Sequence, residues 1–364
     1  SLMLNAARIA AKIRVLPLLE QKVFIDNAQI IGADIALYKA DTETPLNCQF
    51  LIDKFRKKDD DTKPKPNIQI GTLLARRTSM RYNVWNKPST PQCFNLNHLF
   101  FKDIDVKAKV LVNLPDTLGI DLKRFSFVEG SGLFVNQLTF LLEVNDKNAK
   151  LSDFMLQTGN SELKIEQLCA DYPNMPMEGD IKLWLKETNI KGMVEAKVVT
   201  SDFKCFTSKV QYFNDPILIT SECITQGENL LLPAFMLSDT RQNIQLEAIA
   251  KTRGITSTPS VSINTLQLKT SQNLQQFLTK NLRGEEIELS PYISNAGNTV
   301  TNGDITYNNK TLDANLTTTT QLGAVTLQGR LTDKDRIQAR ISSIKFDLGQ
   351  LFYSGKPNDL GNVA

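Results

Sequence analysis

A β-strand pattern lies at residues 103–114, where the chain reads Asp103-Ile104-Asp105-Val106-Lys107-Ala108-Lys109-Val110-Leu111-Val112-Asn113-Leu114. Apolar residues take every second position from Ile104 onward, and most of the residues between them are charged or polar. Side chains alternate between the two faces of a strand, so this spacing predicts one apolar face and one solvated face. Similar stretches recur along nearly the whole chain, separated by Gly/Asn/Asp/Ser-rich turns typical of hairpins.

This recurrence predicts an all-β, mainly antiparallel fold with a few short helices. No Pro/Gly/Ser-rich linker divides the 364 residues, so we expect a single β-sheet segment over 1–364. A shift toward Thr and Asn beyond about residue 250 marks a weak boundary near 251–262. The clearest helix prediction covers 271–282, with Ser271 as its N-cap and Gly284 at its end.

The bulk composition excludes several classes of protein. The net charge is +3, from 42 basic and 39 acidic residues, and the sequence shows no basic stripe, so we expect no nucleic-acid partner. Five scattered cysteines without a CxxC pair argue against a zinc site and a dense disulfide framework. They do not exclude a single disulfide, for example between Cys205 and Cys223. The most apolar run, residues 230–237, is shorter than the ~20 residues of a spanning helix and contains Pro233.

The sequence contains no recognisable catalytic motif. His98 is the single histidine, so the sequence contains no cluster of histidines that could bind a metal. A single histidine also argues against a nucleophilic catalytic triad. Carboxylate pairs such as Asp103 with Asp105 and Asp333 with Asp335 are expected by chance on solvated faces of a chain with 39 acidic residues. Phosphate-binding glycine loops are absent. We therefore expect no enzyme activity, no metal and no cofactor.

The apolar face is then the remaining functional feature, and three structures would explain it. A second sheet could cover it in a sandwich, or it could fill the interior of a small barrel. It could also line the groove of a long curved sheet. Such an apolar groove would not stay exposed to water, and acyl chains would be its natural occupants. Periodicity alone does not separate these alternatives.

Several segments occur in an order that resembles the bacterial TamB/AsmA-like family, in its Bacteroidetes type. These are LPLLEQKVFID at 16–26, the strand at 28–39, the segment at 45–55, the strand at 68–77 and IKFDLGQL at 344–351. The individual motifs are degenerate and amphipathic, and their combination in this order carries the resemblance. The family's C-terminal domain and membrane anchor are not matched, and the chain opens within a strand pattern, so we expect an excised piece of a larger protein.

The resemblance implies an elongated, curved, taco-like sheet with an apolar groove. It implies a monomeric segment of a periplasmic protein that is anchored in the inner membrane and carries phospholipid to the outer membrane. Family members of this translocation and assembly module also act in outer-membrane biogenesis, which implies an outer-membrane barrel partner of the TamA/BamA type, engaged through parts missing here. The expected ligands are phospholipid acyl chains.

The residues expected to line the groove are the alternating apolar positions of four strands: Ile104, Val106, Val110, Val112, Leu138, Phe140, Leu142, Val144, Val325, Leu327, Leu331, Ile337 and Ile341. The alternative is a non-catalytic structural or adhesion β-sandwich scaffold with a closed core. A third hypothesis, a carbohydrate-active enzyme, would need two facing carboxylates in a cleft.

Overall fold

The computed structural model describes residues 3–16, 22–50, 53, 67–111, 117–173, 186–207, 212–254, 258–288, 290–332, 336–353 and 362–363. The strands of its first half are β1 Leu4–Ile13, β2 Lys22–Lys39, β3 Asn67–Val84, β4 His98–Leu111, β5 Leu118–Glu129, β6 Phe134–Val135, β7 Gln137–Val144, β8 Asn148–Thr158, β9 Ser161–Asp171 and β10 Asn189–Val198. Those of its second half are β11 Ile217–Gln226, β12 Asn229–Asp239, β13 Ile244–Arg253, β14 Ser260–Thr270, β15 Thr299–Asn308, β16 Thr311–Thr320, β17 Gly323–Thr332, β18 Arg336–Ile344, β19 Phe346–Asp347 and β20 Asn362–Val363. The described helices are α1 Leu274–Arg283, α2 Pro291–Ala296 and α3 Leu348–Leu351, with a 3₁₀ turn at Thr200–Phe203.

The chain divides into two compact units. Unit 1 comprises residues 1–145, 150–162 and 202–208, and unit 2 comprises residues 146–149, 163–201 and 209–364. The weak boundary predicted near 251–262 falls inside unit 2, at the connection between β13 and β14, and stays a prediction.

In both units the strands form open sheets in which chain neighbours pair. Strands β1 to β5 pair in sequence order in unit 1, and β10 to β18 do so in unit 2. Every one of these pairs is antiparallel except β2 with β3, which is parallel. The prediction of a mainly antiparallel all-β fold with a few short helices is therefore confirmed.

β4 begins earlier than the strand predicted at 103–114, at His98, and its described residues run to Leu111. Asp103 has a φ of 51° and interrupts the pairing with β5 between Lys102 and Asp105. Such a bulge resets the alternation of side chains between the two faces. The regular pattern in the sequence starts at Ile104 because that residue is the first one after the bulge. Val112 and Leu114 lie outside the described residues.

Helix α1 confirms the helix predicted at 271–282, although its first turn is built differently. Its N-cap is Asn273 and not Ser271, and the Ser271 hydroxyl instead accepts a hydrogen bond from the Asn273 N–H at 3.2 Å. The buried Phe277 ring packs edge-on against Phe213 with 5.8 Å between centroids. Gly284 ends the helix with a φ of 74°, as the sequence predicts.

All five cysteines are free thiols, so the disulfide that the sequence left open between Cys205 and Cys223 is not formed. Cys205 is buried in unit 1. Burial raises the pKa of the Cys223 thiol. Both thiols are therefore expected to react slowly with alkylating reagents.

Two glycines in neighbouring parts of unit 2 give a matched test of the strand pairing. Gly303 in β15 has a φ of 153°, and a Cβ built there would overlap the carbonyl oxygen of Asn315 in β16. Gly303→Ala is expected to lower the free energy of unfolding in urea by about 2 kcal/mol or more. Gly329→Ala is the control, because its nearest neighbour would be 3.9 Å away, and a change within about 1 kcal/mol is expected. Equal losses for the two variants would contradict the β15–β16 register.

Candidate functional site

In unit 1, apolar residues of six strands lie opposite one another in a single row: Ala11, Ala28, Leu73, Ala108, Leu122 and Phe140. A second row on the same side contains Ile9, Ile30, Ala75, Val106 and Phe125. Directly paired residues point to the same side of a sheet, and so do residues two positions apart along a strand. We call the side that carries these two rows the apolar face of unit 1.

The opposite side of the same strands is polar. One of its rows contains Lys12, Asn27, Thr72, Lys109 and Asp121. Asp105 also lies on this side, where its carboxylate is 3.4 Å from Arg124, and Asp121 is 2.8 Å from Lys123. Asp103 is the exposed bulge residue of β4, and Asp333 and Asp335 lie outside the described residues. Asp105 thus serves as an ion-pair partner on a solvated face.

Unit 2 has the same division into an apolar face and a polar face. Its apolar face carries one row across β10–β14: Ala196, Ile219, Leu237, Leu246 and Leu268. Two strands further on, Leu316, Leu327 and Ile341 lie opposite one another in β16, β17 and β18. Polar residues interrupt this face at Thr301 and Thr318. Their hydroxyl oxygens are 2.9 Å apart, so the two hydroxyl groups form a hydrogen bond with each other.

The described residues that were predicted to line a groove fall on the apolar face of their own unit. In unit 1, Val110 lies opposite Ile120, which lies opposite Leu142, while Val144 pairs with Leu118. Ile104 pairs with the buried Thr78, Val106 and Phe140 belong to the two rows above, and Leu138 precedes Phe140 by two positions. Val112 lies outside the described residues.

In unit 2, Leu327 pairs with Ile341 and Leu331 with Ile337, and Val325 pairs with Ser343 on the same side. The prediction omitted four central residues of this face, Ile219, Leu237, Leu246 and Leu268. The alternating positions at 244–250 and 261–268 contain the signal that would have found two of them. A lipid-lining role for all these residues stays a prediction.

Many apolar side chains on these faces remain accessible to water. Ile337 is 75% exposed and Ile341 is 71% exposed in β18, and Ile9 is 61% and Leu118 is 53% exposed in unit 1. Burying one such side chain is worth about 1.5–3 kcal/mol, so these faces retain a large capacity to bind apolar groups.

Two cavities of unit 2 lie on its polar face. One, of about 650 Å³, is lined by polar residues that include Asp313, Arg330 and Arg340. Arg330 Nε donates to Asp313 Oδ1 at 2.6 Å, and this hydrogen bond raises the pKa of the Arg330 guanidinium. Another, of about 370 Å³, is lined by Met193, Met236 and Cys169. Neither cavity was expected from the sequence, because residues of several paired strands line each one and the strand register brings them together.

His98 belongs to the start of β4, where its ring nitrogens lie 3.1 Å from Asn83 Oδ1 and 2.8 Å from the Lys87 carbonyl oxygen. No three His, Cys, Asp or Glu side chains of the described residues are grouped closely enough to hold a metal ion. None of the described helices has the length and apolar character required to cross a bilayer. The chain matches no protein-family model, no curated protein and no solved structure.

The isoleucines of β18 test whether the apolar face is uncovered. Replacing both Ile337 and Ile341 with Ser is expected to change the free energy of unfolding by less than about 1 kcal/mol, because water already contacts both side chains. Leu266→Ala is the comparison at a buried position on the same face of unit 2, two residues before Leu268, and a loss of about 2–5 kcal/mol is expected there. A loss for the isoleucine pair as large as that for Leu266 would place them in a covered core.

Proposed function

We propose that this chain is a segment of a bridge-like lipid-transport protein whose apolar β-face holds phospholipid acyl chains in transit between the inner and outer membranes. The observation that carries the proposal is an apolar face in each unit on which side chains such as Ile9 and Leu118 in unit 1 and Ile337 and Ile341 in unit 2 remain exposed to water. Its occupants must be apolar, because the rows described above contain no charged side chain.

The energetics favour an acyl chain as the occupant of this face. Ile337 and Ile341 expose 75% and 71% of their surface, so each forgoes most of the stabilisation that burial would give. An acyl chain gains about 0.8 kcal/mol for each CH₂ group that leaves water. The side chains of β16, β17 and β18 follow one another at strand spacing, which suits a long, flexible and featureless ligand better than a compact one.

The order of the segments at 16–26, 68–77 and 344–351 supports membership of the TamB/AsmA-like family. This membership would place the segment in the periplasm, within a protein anchored in the inner membrane. It would also give the whole protein a role in outer-membrane biogenesis, with an outer-membrane barrel of the TamA/BamA type as a partner. The proposal assigns no catalytic residue.

The alternative is a structural or adhesion scaffold with a closed β-sandwich core. A sandwich covers the inner face of each sheet with a second sheet about 10 Å away. The exposure of Leu118 in unit 1 and of Ile337 and Ile341 in unit 2 favours lipid binding over this alternative.

Mass spectrometry of lipid extracted from the purified protein tests the proposal. We expect co-purifying phospholipid in the wild-type protein and several-fold less in the variant Ile337→Asp/Ile341→Asp, because a charge on this face opposes acyl contact. The matched control is Ile344→Asp, since Ile344 lies on the same strand, is 76% exposed and faces the polar side. It should retain wild-type lipid.

Val110→Asp and Phe140→Asp extend the test to unit 1, with circular dichroism to confirm that each variant is folded. Two results would exclude an acyl-binding role for this face. One is a wild-type protein that is free of lipid. The other is lipid that remains bound to folded variants carrying Asp on the apolar face.

A further inference from the structure

A cluster of cations lies on the polar face of unit 1, although the sequence shows no basic stripe. Lys107 lies opposite Leu74 and Arg124, and Lys109 lies opposite Thr72 and Asp121. Arg76 is two positions beyond Leu74 and so shares its side of β3. These three residues, together with Arg81 and Lys102, form what we call the basic patch, and the side chains of all five are exposed.

One aromatic ring organises one end of the basic patch. Arg81 pairs with Phe100 across β3 and β4, and its guanidinium carbon lies 4.5 Å from the centroid of the Phe100 ring. The Nζ atom of Lys102 lies 4.7 Å from the same centroid. A ring face attracts cations, so Phe100 helps to hold both Arg81 and Lys102 at this end of the patch.

The neighbouring carboxylates do not neutralise the basic patch. Asp105 is engaged by Arg124 at 3.4 Å, and Asp121 by Lys123 at 2.8 Å. None of the five cations of the patch forms an ion pair within the part of the chain that the structure describes. Strands β3–β5 contain eight Lys or Arg and four Asp or Glu, a net charge of +4 that exceeds the +3 of the whole chain.

We propose that the basic patch binds the anionic headgroup surface of a phospholipid bilayer. Lys102 and Lys109 are seven residues apart on β4, which corresponds to about 24 Å at strand rise, so the ligand must present negative charge over that distance. Headgroups in a bilayer move laterally and can meet cations at any spacing, whereas an acidic protein would need a matching arrangement of carboxylates. Clusters of four to eight Lys or Arg are typical of attachment to anionic lipid.

This site lies on the opposite face from the acyl-binding rows, so it goes beyond the proposed function and can fail independently of it. Each Lys or Arg of the basic patch that lies near an anionic membrane surface is expected to strengthen binding about fivefold. Salt screens this attraction. The interaction should therefore depend on charge, on ionic strength and on no single residue.

Sedimentation of the full chain with lipid vesicles tests the proposal. We expect binding to vesicles that contain phosphatidylglycerol, no binding to vesicles of phosphatidylcholine alone, and loss of binding at about 1 M salt, where the screening length is about 3 Å. The variant Lys107→Gln/Lys109→Gln is expected to bind about 25-fold more weakly, from two losses of about fivefold.

The matched control is Lys251→Gln/Lys269→Gln, which removes the same charge from two exposed lysines of β13 and β14 in unit 2. It should bind vesicles within about twofold of the wild type, since neither lysine belongs to the patch. Thermal unfolding of all variants establishes that each is folded, and the lipid extracted from the patch variant should equal that from the wild type.

Three outcomes would overturn the proposal: equal vesicle binding by the patch and control variants, equal binding to phosphatidylcholine alone, or tighter binding to poly-glutamate or a single-stranded oligonucleotide than to the anionic vesicles. If the protein carries no extracted lipid but the patch variant alone loses vesicle binding, the acyl-binding proposal fails and this one stands.

Discussion

The register of strand pairing determines which side chains share a face of the sheet in each unit. In unit 1 it sets Ala28, Leu73, Ala108 and Leu122 opposite one another over four strands. A slip of one residue in any strand would move that strand's apolar side chains to the polar face. Bulges such as the one at Asp103 correct the alternation where the sequence would lose it. The chain therefore keeps two faces of different chemistry over many strands.

The two faces explain why this protein can be folded while much apolar surface meets water. Strand pairing satisfies the backbone hydrogen-bonding groups along the sheet. The buried apolar side chains include Val84 in unit 1 and Leu266 and Phe277 in unit 2, and the exposed ones include Ile337 and Ile341. Because backbone pairing needs no second sheet, the apolar face is available to a ligand, and the polar face is available to ions and charged surfaces.

Local sequence predicts the faces well and predicts their assembly poorly. The alternation at 103–114 identifies the side of β4 that carries Val106 and Val110, and leucine spacing with Gly284 identifies α1. The bulge at Asp103 is not evident, because an aspartate on a solvated strand looks regular. The parallel pairing of β2 and β3 is not evident either. The basic patch escaped notice because only the β3–β4 register places Arg76 and Arg81 on the same face as Lys102 and Lys107, and no local pattern encodes that register.

Photo-crosslinking at two adjacent residues of β17 tests whether the apolar face, and not the polar face, contacts phospholipid. Leu327 lies on the apolar face opposite Ile341, and the next residue, Gln328, lies on the polar face opposite Arg340. A photoreactive phenylalanine analogue would replace each residue in turn in the protein in cells, followed by irradiation and detection of phospholipid on the purified chain. We expect a phospholipid adduct at position 327 and little or none at position 328. Equal adducts at both positions, or none at position 327, would contradict this expectation.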